Sequence, residues 1–303
     1  MIGAIDHVGL RVADLDEAAT RWARQFGLTV RERDAGRVAL SCDDEPYALE
    51  LVPGDPGLDH VAYRLRRDCG LADARGRLES HGVACEERDG GLVLADREGH
   101  GVQLLPYRAA EWVPHARPAD GLLVGHPRKL GHVNFLTAAL DEQLAFYTDV
   151  LGLRVTDWLG DEGVWLHANA DHHVTALIDK GVAHFHHLAL DVVDIGQMRD
   201  TLDHLGRHGR WASWGPTRHG VGGNIATYVR ITEERCFVEL YCDMEQLGPD
   251  HEPRRWPDDR FSSNTWGLLP PRSYFRFDRA AIESERESLE MLGQPLPEEV
   301  HSS

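Results

Sequence analysis

His186-His187-Leu188-Ala189-Leu190 is a short apolar run headed by two histidines, and it reads as a β-strand. Related runs stand upstream at Gly131-His132-Val133-Asn134-Phe135, Asp59-His60-Val61-Ala62-Tyr63 and Asp6-His7-Val8-Gly9-Leu10. Self-similarity of this kind marks an internal repeat. After each run comes a segment with apolar residues at helical spacing: 15–26 before Gly27, 71–80 before His81-Gly82, 140–151 before Gly152 and 195–205 before Gly206. A glycine just past a helix is a common stop, because it can take the left-handed conformation there. Each copy then closes on a strand, at 47–52, 101–105, 174–178 and 236–241. The unit is therefore βαβββ, used four times.

The expected architecture is α+β, with the units paired into two domains. The first covers residues 1–107 and the second 129–245. A connector containing Pro and Arg, 108–128, joins them, and a tail follows over 246–303. Within the tail, the polar Pro- and Trp-containing stretch 250–276 reads as a strap or lid. The charged segment near 278–292 reads as a helix that is a solvated face or a contact surface.

A net charge of −18 argues against nucleic acid and against anionic membrane surfaces as partners. No apolar run approaches the roughly 18 residues of a membrane span, and the N-terminus shows no signal-peptide pattern. The five cysteines form no Cys-x-x-Cys pair, which fits a reducing compartment. A cytoplasmic location is expected.

Chemistry concentrates between His186 and Glu239. A histidine on the first strand of that stretch and a glutamate on the last, in Cys236-Phe237-Val238-Glu239-Leu240-Tyr241, can face one interior. His132 heads the equivalent strand of the preceding unit. Two neutral imidazoles and one carboxylate make a facial triad for a redox-active metal, usually Fe(II), with positions left open for substrate and oxygen. The expected ligands are His132, His187 and Glu239. Strand alternation lets only one of His186 and His187 point inward, and the repeat alignment selects His187. The same alternation applies to His172 and His173.

With these residues in place, the chain resembles the vicinal oxygen chelate superfamily. More closely it resembles the type I extradiol catechol dioxygenases, in the homoprotocatechuate 2,3-dioxygenase branch. The resemblance is strongest at Gly215-Pro216-Thr217-Arg218-His219-Gly220-Val221, at Tyr228 and at Val238-Glu239-Leu240-Tyr241. It is supported by His173-Val174-Thr175-Ala176-Leu177 and by the His186-His187 pair, and it is weaker in the first domain. It implies a cup-shaped mixed sheet in each domain and a homo-oligomer. It implies an enzyme that opens a catechol ring with one O₂ at Fe(II) or Mn(II), for which the ligands do not choose. By the same resemblance His173 is the acid–base group, His219 and Tyr228 bond the substrate, and Asn134 and Trp165 line the pocket.

Three features depart from that branch. The arginines that hold a substrate carboxylate there are replaced by Trp214 and Ser263, with Arg260 nearby as a possible substitute. An anion buried without a cation is costly, so a catechol lacking a carboxylate is expected. The turn over 231–236 runs one residue longer, which alters the offset between Tyr228 and Glu239. In the first domain His7, Glu50, His60 and Gln103 occupy strand positions that hold ligands in some relatives such as glyoxalases; these are expected to be remnants of duplication satisfied by hydrogen bonds. Another metal-dependent enzyme of the superfamily, an isomerase or transferase, or a non-catalytic binding protein are the competing readings. The pathway, aromatic catabolism or natural-product tailoring, is left open.

Overall fold

The computed structural model describes residues 1–42, 47–109, 127–275 and 287. The charged helix expected near 278–292 and most of the connector lie outside the described residues.

Four βαβββ units are present. The first is β1 (Ile2–Val12), α1 (Leu15–Phe26), β2 (Thr29–Arg33), β3 (Val38–Ser41) and β4 (Leu49–Pro53). Next come β5 (Gly57–Leu65), α2 (Leu71–Ser80), β6 (Glu86–Arg88), β7 (Gly91–Ala95) and β8 (Gly101–Leu105). The third is β9 (Lys129–Thr137), α3 (Leu140–Ala145), β10 (Arg154–Leu159), β11 (Gly163–His167) and β12 (Thr175–Asp179). The fourth is β13 (His184–Asp191), α4 (Ile195–Arg207), β14 (Ala212–Arg218), β15 (Ile225–Ile231) and β16 (Cys236–Cys242). The tail adds β17 (Arg254–Trp256) and the short helix α5 (Arg260–Ser263).

Helix α1 shows why the units take this form. The Asp14 carboxylate accepts the N–H groups of Asp16 and Glu17, which caps the first turn; such a cap contributes about 1 kcal/mol. Ala18, Ala19, Trp22 and Phe26 form the buried stripe, and Gly27 ends the helix in the left-handed region at φ 70°. Two helices depart from the expected form. The third passes from α3 into a π-turn over Phe146–Val150 before Gly152. The fourth does not stop at Gly206. Leu205 is buried, a Cβ added at Gly206 would meet nothing within 4 Å, and the helix runs on to Arg207, with the left-handed role falling to Gly209 at φ 70°. An interior glycine costs a helix only about 1 kcal/mol, and the basic last turn suits the helix dipole.

The strands form two mixed sheets, in the orders β2-β3-β4-β1-β5-β8-β7-β6 and β14-β15-β16-β13-β9-β12-β11-β10-β17. In each, two inner strands pair antiparallel (β1 with β5, β9 with β13) and each is flanked by a parallel partner. The second sheet thus repeats the first and gains β17 from the tail on its outer edge, parallel to β10. One apolar core runs through both halves. Polar contacts cross it too: Tyr63 Oη lies 2.7 Å from Thr175 Oγ1, and Arg21 grips Glu234 through both guanidinium nitrogens at 2.6 and 3.0 Å. No helix among the described residues is long and apolar enough to cross a membrane.

Candidate metal centre

Sheet register assembles the site. Directly opposed residues share a face. Across the second sheet, Trp214 opposes Tyr228, Tyr228 opposes Glu239, Glu239 opposes Ala189 and Ala189 opposes His132. A second row runs Trp165, Ala176, Asn134, His187. The rows meet because His132 and Asn134, and likewise His187 and Ala189, are two residues apart on their strands. Small residues at Ala176 and Ala189 leave space at the centre. The longer turn at Thr232–Arg235 does not displace Tyr228, which sits straight across from Glu239.

His132 Nε2 and His187 Nε2 lie 3.0 and 3.1 Å from Glu239 Oε2, and all three residues are buried. The hydrogen-bond network fixes the His187 tautomer. His186 Nε2–H donates to the Tyr274 carbonyl at 2.7 Å, so its Nδ1 accepts from His187 Nδ1–H at 2.8 Å. Burial lowers the His187 pKa, leaving the ring neutral with a bare Nε2. Burial alone would raise the Glu239 carboxyl, but His132 beside it holds it well below the usual range. A lone pair therefore faces a carboxylate oxygen at 3.1 Å, an arrangement that a cation resolves. Glu239 Oε1 accepts from Asn224 Nδ2 at 2.9 Å, which orients the carboxylate. The donor set suits a divalent transition metal.

His173 packs on His132, with ring centroids 4.1 Å apart. Behind it His172 Nδ1 lies 3.0 Å from His173 Nδ1, and His172 Nε2 lies 3.0 Å from Asp157 Oδ2. Burial opposes the Asp157 charge, yet bonds from His172, Arg254 and Trp256 bring its pKa down to about 2. As a carboxylate it holds the proton on His172 Nε2. His172 Nδ1 then accepts from His173 Nδ1–H, and His173 keeps a bare Nε2. Burial, then the neighbouring His132 and His172, hold His173 well below the ordinary imidazole pKa.

His219 Nδ1–H donates to the Ser263 carbonyl at 2.8 Å, so its Nε2 accepts from Tyr228 Oη–H at 2.8 Å. Burial and then Glu239 push the Tyr228 phenol well up, keeping it protonated. Trp214 stacks on Tyr228 at 5.1 Å and 9°, and its Nε1–H donates to the Leu268 carbonyl at 2.6 Å.

These side chains line one cavity of about 370 Å³. His132, His187, Glu239, His173, His219, Tyr228, Asn134, Trp165, Trp214 and Ser263 are all in its wall. From the tail, Asp258, Ser262, Pro270, Tyr274 and Phe275 also line it. Two expectations are corrected. His186 does not point away: β13 carries a register shift between Phe185 and His187, and the extra residue puts both imidazoles in the wall. Arg260 does not replace the absent arginines, since its guanidinium lies over Phe261 and outside the lining. The one cation among the described lining residues is Lys180, bound to Glu162 at 2.6 Å. Sequence reasoning missed Lys180, and it missed Asn224 and Asp157, whose roles depend on partners distant in the chain.

Residues 129–233 match the model of the Glyoxalase/Bleomycin resistance protein/Dioxygenase superfamily. Residues 129–233 are thus a domain similar to this superfamily. Over 301 residues the chain is 27 % identical to "Metapyrocatechase 2" of Cupriavidus necator, a match that covers 91 % of the chain and 92 % of that relative. It is 26 % identical to a 3-methylcatechol 2,3-dioxygenase of Pseudomonas putida, over 68 % of the chain and 82 % of the relative. Homoprotocatechuate 2,3-dioxygenase from Brevibacterium fuscum, solved with 3,4-dihydroxyphenylacetate, superposes with a TM-score of 0.80 at 23 % identity, over 90 % of this chain and 91 % of that one. At that identity the likeness shows the fold.

Proposed function

We propose that this chain is an extradiol dioxygenase that opens a catechol ring with O₂, and that its substrate carries no carboxylate. One observation carries the reading: a two-histidine, one-carboxylate triad shares a cavity wall with a bare imidazole nitrogen and a protonated phenol. The similarity to catechol dioxygenases over most of the chain supports it.

His132, His187 and Glu239 would hold Fe(II), or Mn(II), which acidifies the catechol hydroxyls and leaves positions open for both substrates. His173 acts as the base, because its bare Nε2 can accept a hydroxyl proton and the relay to Asp157 keeps that nitrogen bare. Once charged, His173 can return the proton to an oxygen of the opening ring. Tyr228 holds a proton at Oη, fixed by His219, and presents it beside the metal ligands. Trp165 and Trp214 form flat walls for an aromatic ring, and Asn134 offers an amide next to His187. The tail excludes water, which strengthens each of these polar contacts. On this reading residues 129–245 are catalytic, 1–107 are not, and 246–303 include the lid. A cytoplasmic homo-oligomer accompanies the reading, as the resemblance implies.

Among the described residues the cavity offers a carboxylate no unpaired cation, since Lys180 is already held by Glu162 and Asp258 also lines the wall. Comparison of kcat/KM tests this. Catechol, 3-methylcatechol and 2,3-dihydroxybiphenyl are expected to exceed homoprotocatechuate by about 10-fold or more. Faster turnover of homoprotocatechuate would contradict the proposal.

A further inference from the structure

The first sheet repeats the register of the metal triad. His7 opposes Ala62 and His60 opposes Gly9, the same offset as His132 opposite Ala189 and His187 opposite Asn134. His7 and His60 are 1 % and 7 % exposed. Their Nε2 atoms face each other at 2.9 Å. Each ring is oriented from behind by the preceding residue: His7 Nδ1 lies 2.8 Å from Asp6 Oδ1, and His60 Nδ1 lies 2.9 Å from Asp59 Oδ2. Carboxylates accept hydrogen bonds, so Asp6 and Asp59 are the acceptors in these two contacts. The protons therefore sit on the two Nδ1 atoms. Two lone pairs are left pointing at one another, which is unfavourable unless a cation lies between them.

A carboxylate completes the group. Glu50 opposes Gly9 from β4, and one ligand atom from each of His7, His60 and Glu50 lies within 4.8 Å of the other two. In the second sheet the same position is Ala176, while the position of Glu239 is taken in the first sheet by Gln103, opposite Ala62. The carboxylate has changed strands and the site keeps one acid. Gly9 allows this geometry, because a Cβ there would come within 2.5 Å of the His60 ring. Arg37 Nε donates to Glu50 Oε2 and its Nη1 bonds Glu32 at 2.8 Å, which pins Glu50 and leaves Oε1 as the oxygen for a ligand.

We propose that His7, His60 and Glu50 bind a second divalent first-row transition-metal ion, enclosed in the first sheet and structural in role. Two metal–nitrogen bonds of about 2.1 Å at right angles put their nitrogens about 3 Å apart, which the His7–His60 separation matches. Carboxylates behind both imidazoles are the usual outer support of such ligands. The inference stands independently of the ring-cleavage reading.

Cobalt stoichiometry tests it. Metal-stripped full-length protein is equilibrated with Co(II), desalted and measured for cobalt per chain. The wild-type protein is expected to hold two ions, His187→Ala one, His60→Ala one and the double variant none. Glu50→Gln keeps both rings and a similar volume; in the His187→Ala background it is expected to weaken the remaining ion about 10-fold or more. One ion in the wild-type protein and none in His187→Ala would overturn the proposal, leaving a proton shared by His7 and His60. One ion that survives His187→Ala and is lost in His60→Ala would uphold it and count against the second-sheet centre instead.

Discussion

His172 Nδ1 lies 3.0 Å from His173 Nδ1, and only one of these nitrogens can carry the proton between them. Asp157 settles which, because its carboxylate holds the proton on the far nitrogen of His172. An amide at Asp157 can donate instead of accept. His172 would then turn to its other tautomer, and His173 would lose the bare Nε2. Asp157→Asn is therefore expected to lower kcat by about 10²- to 10⁴-fold, with KM and bound metal little changed. Steady-state kinetics with metal analysis on the same sample checks this, and a matching loss of metal would point to a purely structural effect.

Tyr228 is tied to His219, which is tied in turn to the Ser263 carbonyl of the tail. Removing the phenol hydroxyl leaves the His219 Nε2 without its donor and the site without one proton. Tyr228→Phe is expected to lower kcat by about 10²-fold, with unchanged metal content. Kinetics on catechol would show it, and a variant as fast as the parent would remove Tyr228 from the mechanism.

Ser263 stands in the cavity wall on α5. A guanidinium there would give a carboxylate a partner that the described lining residues do not supply. Ser263→Arg is expected to shift the kcat/KM ratio of homoprotocatechuate to catechol upward by about 10-fold or more. An unchanged ratio would place the substrate's distal end elsewhere.

His167 is buried against Thr156, and burial, followed by the nearby Arg154 and His251, lowers its pKa from 6.5 to about 4. The folded state keeps this ring neutral while the unfolded chain protonates it. Its contribution to stability is therefore complete above about pH 6.5 and is lost as the pH falls toward 4. Between pH 7 and 5 the loss is about 2 kcal/mol. Chemical denaturation at both values should show a smaller loss in His167→Gln than in the parent.

Much of the site was legible because it is built on repeats. The four His-headed strands gave the βαβββ unit, and the unit gave the relative positions of His132, His187 and Glu239. Repeat alignment singled out His187 and the family resemblance singled out His173, and both line the cavity; alternation failed at His186, because a bulge is one extra residue and leaves no mark in a five-residue pattern. The end of α4 was misplaced because Gly206 looks like a stop, whereas the helix runs on to Arg207 and the left-handed glycine is Gly209. Asp157 and Asn224 were invisible for another reason. Each acquires meaning from a partner far away, His172 with Arg254 for one and Glu239 for the other, and no local spacing encodes those meetings.

Oxygen consumption paired with product formation tests the central claim most directly. Metal-loaded protein is mixed with catechol in an oxygen-electrode cell while the yellow ring-opened product is followed by absorbance. One O₂ consumed per product formed, with both signals lost in His187→Ala, is the predicted result. Metal bound at the triad with no oxygen uptake on any of the four catechols, or turnover that needs no oxygen, would contradict it.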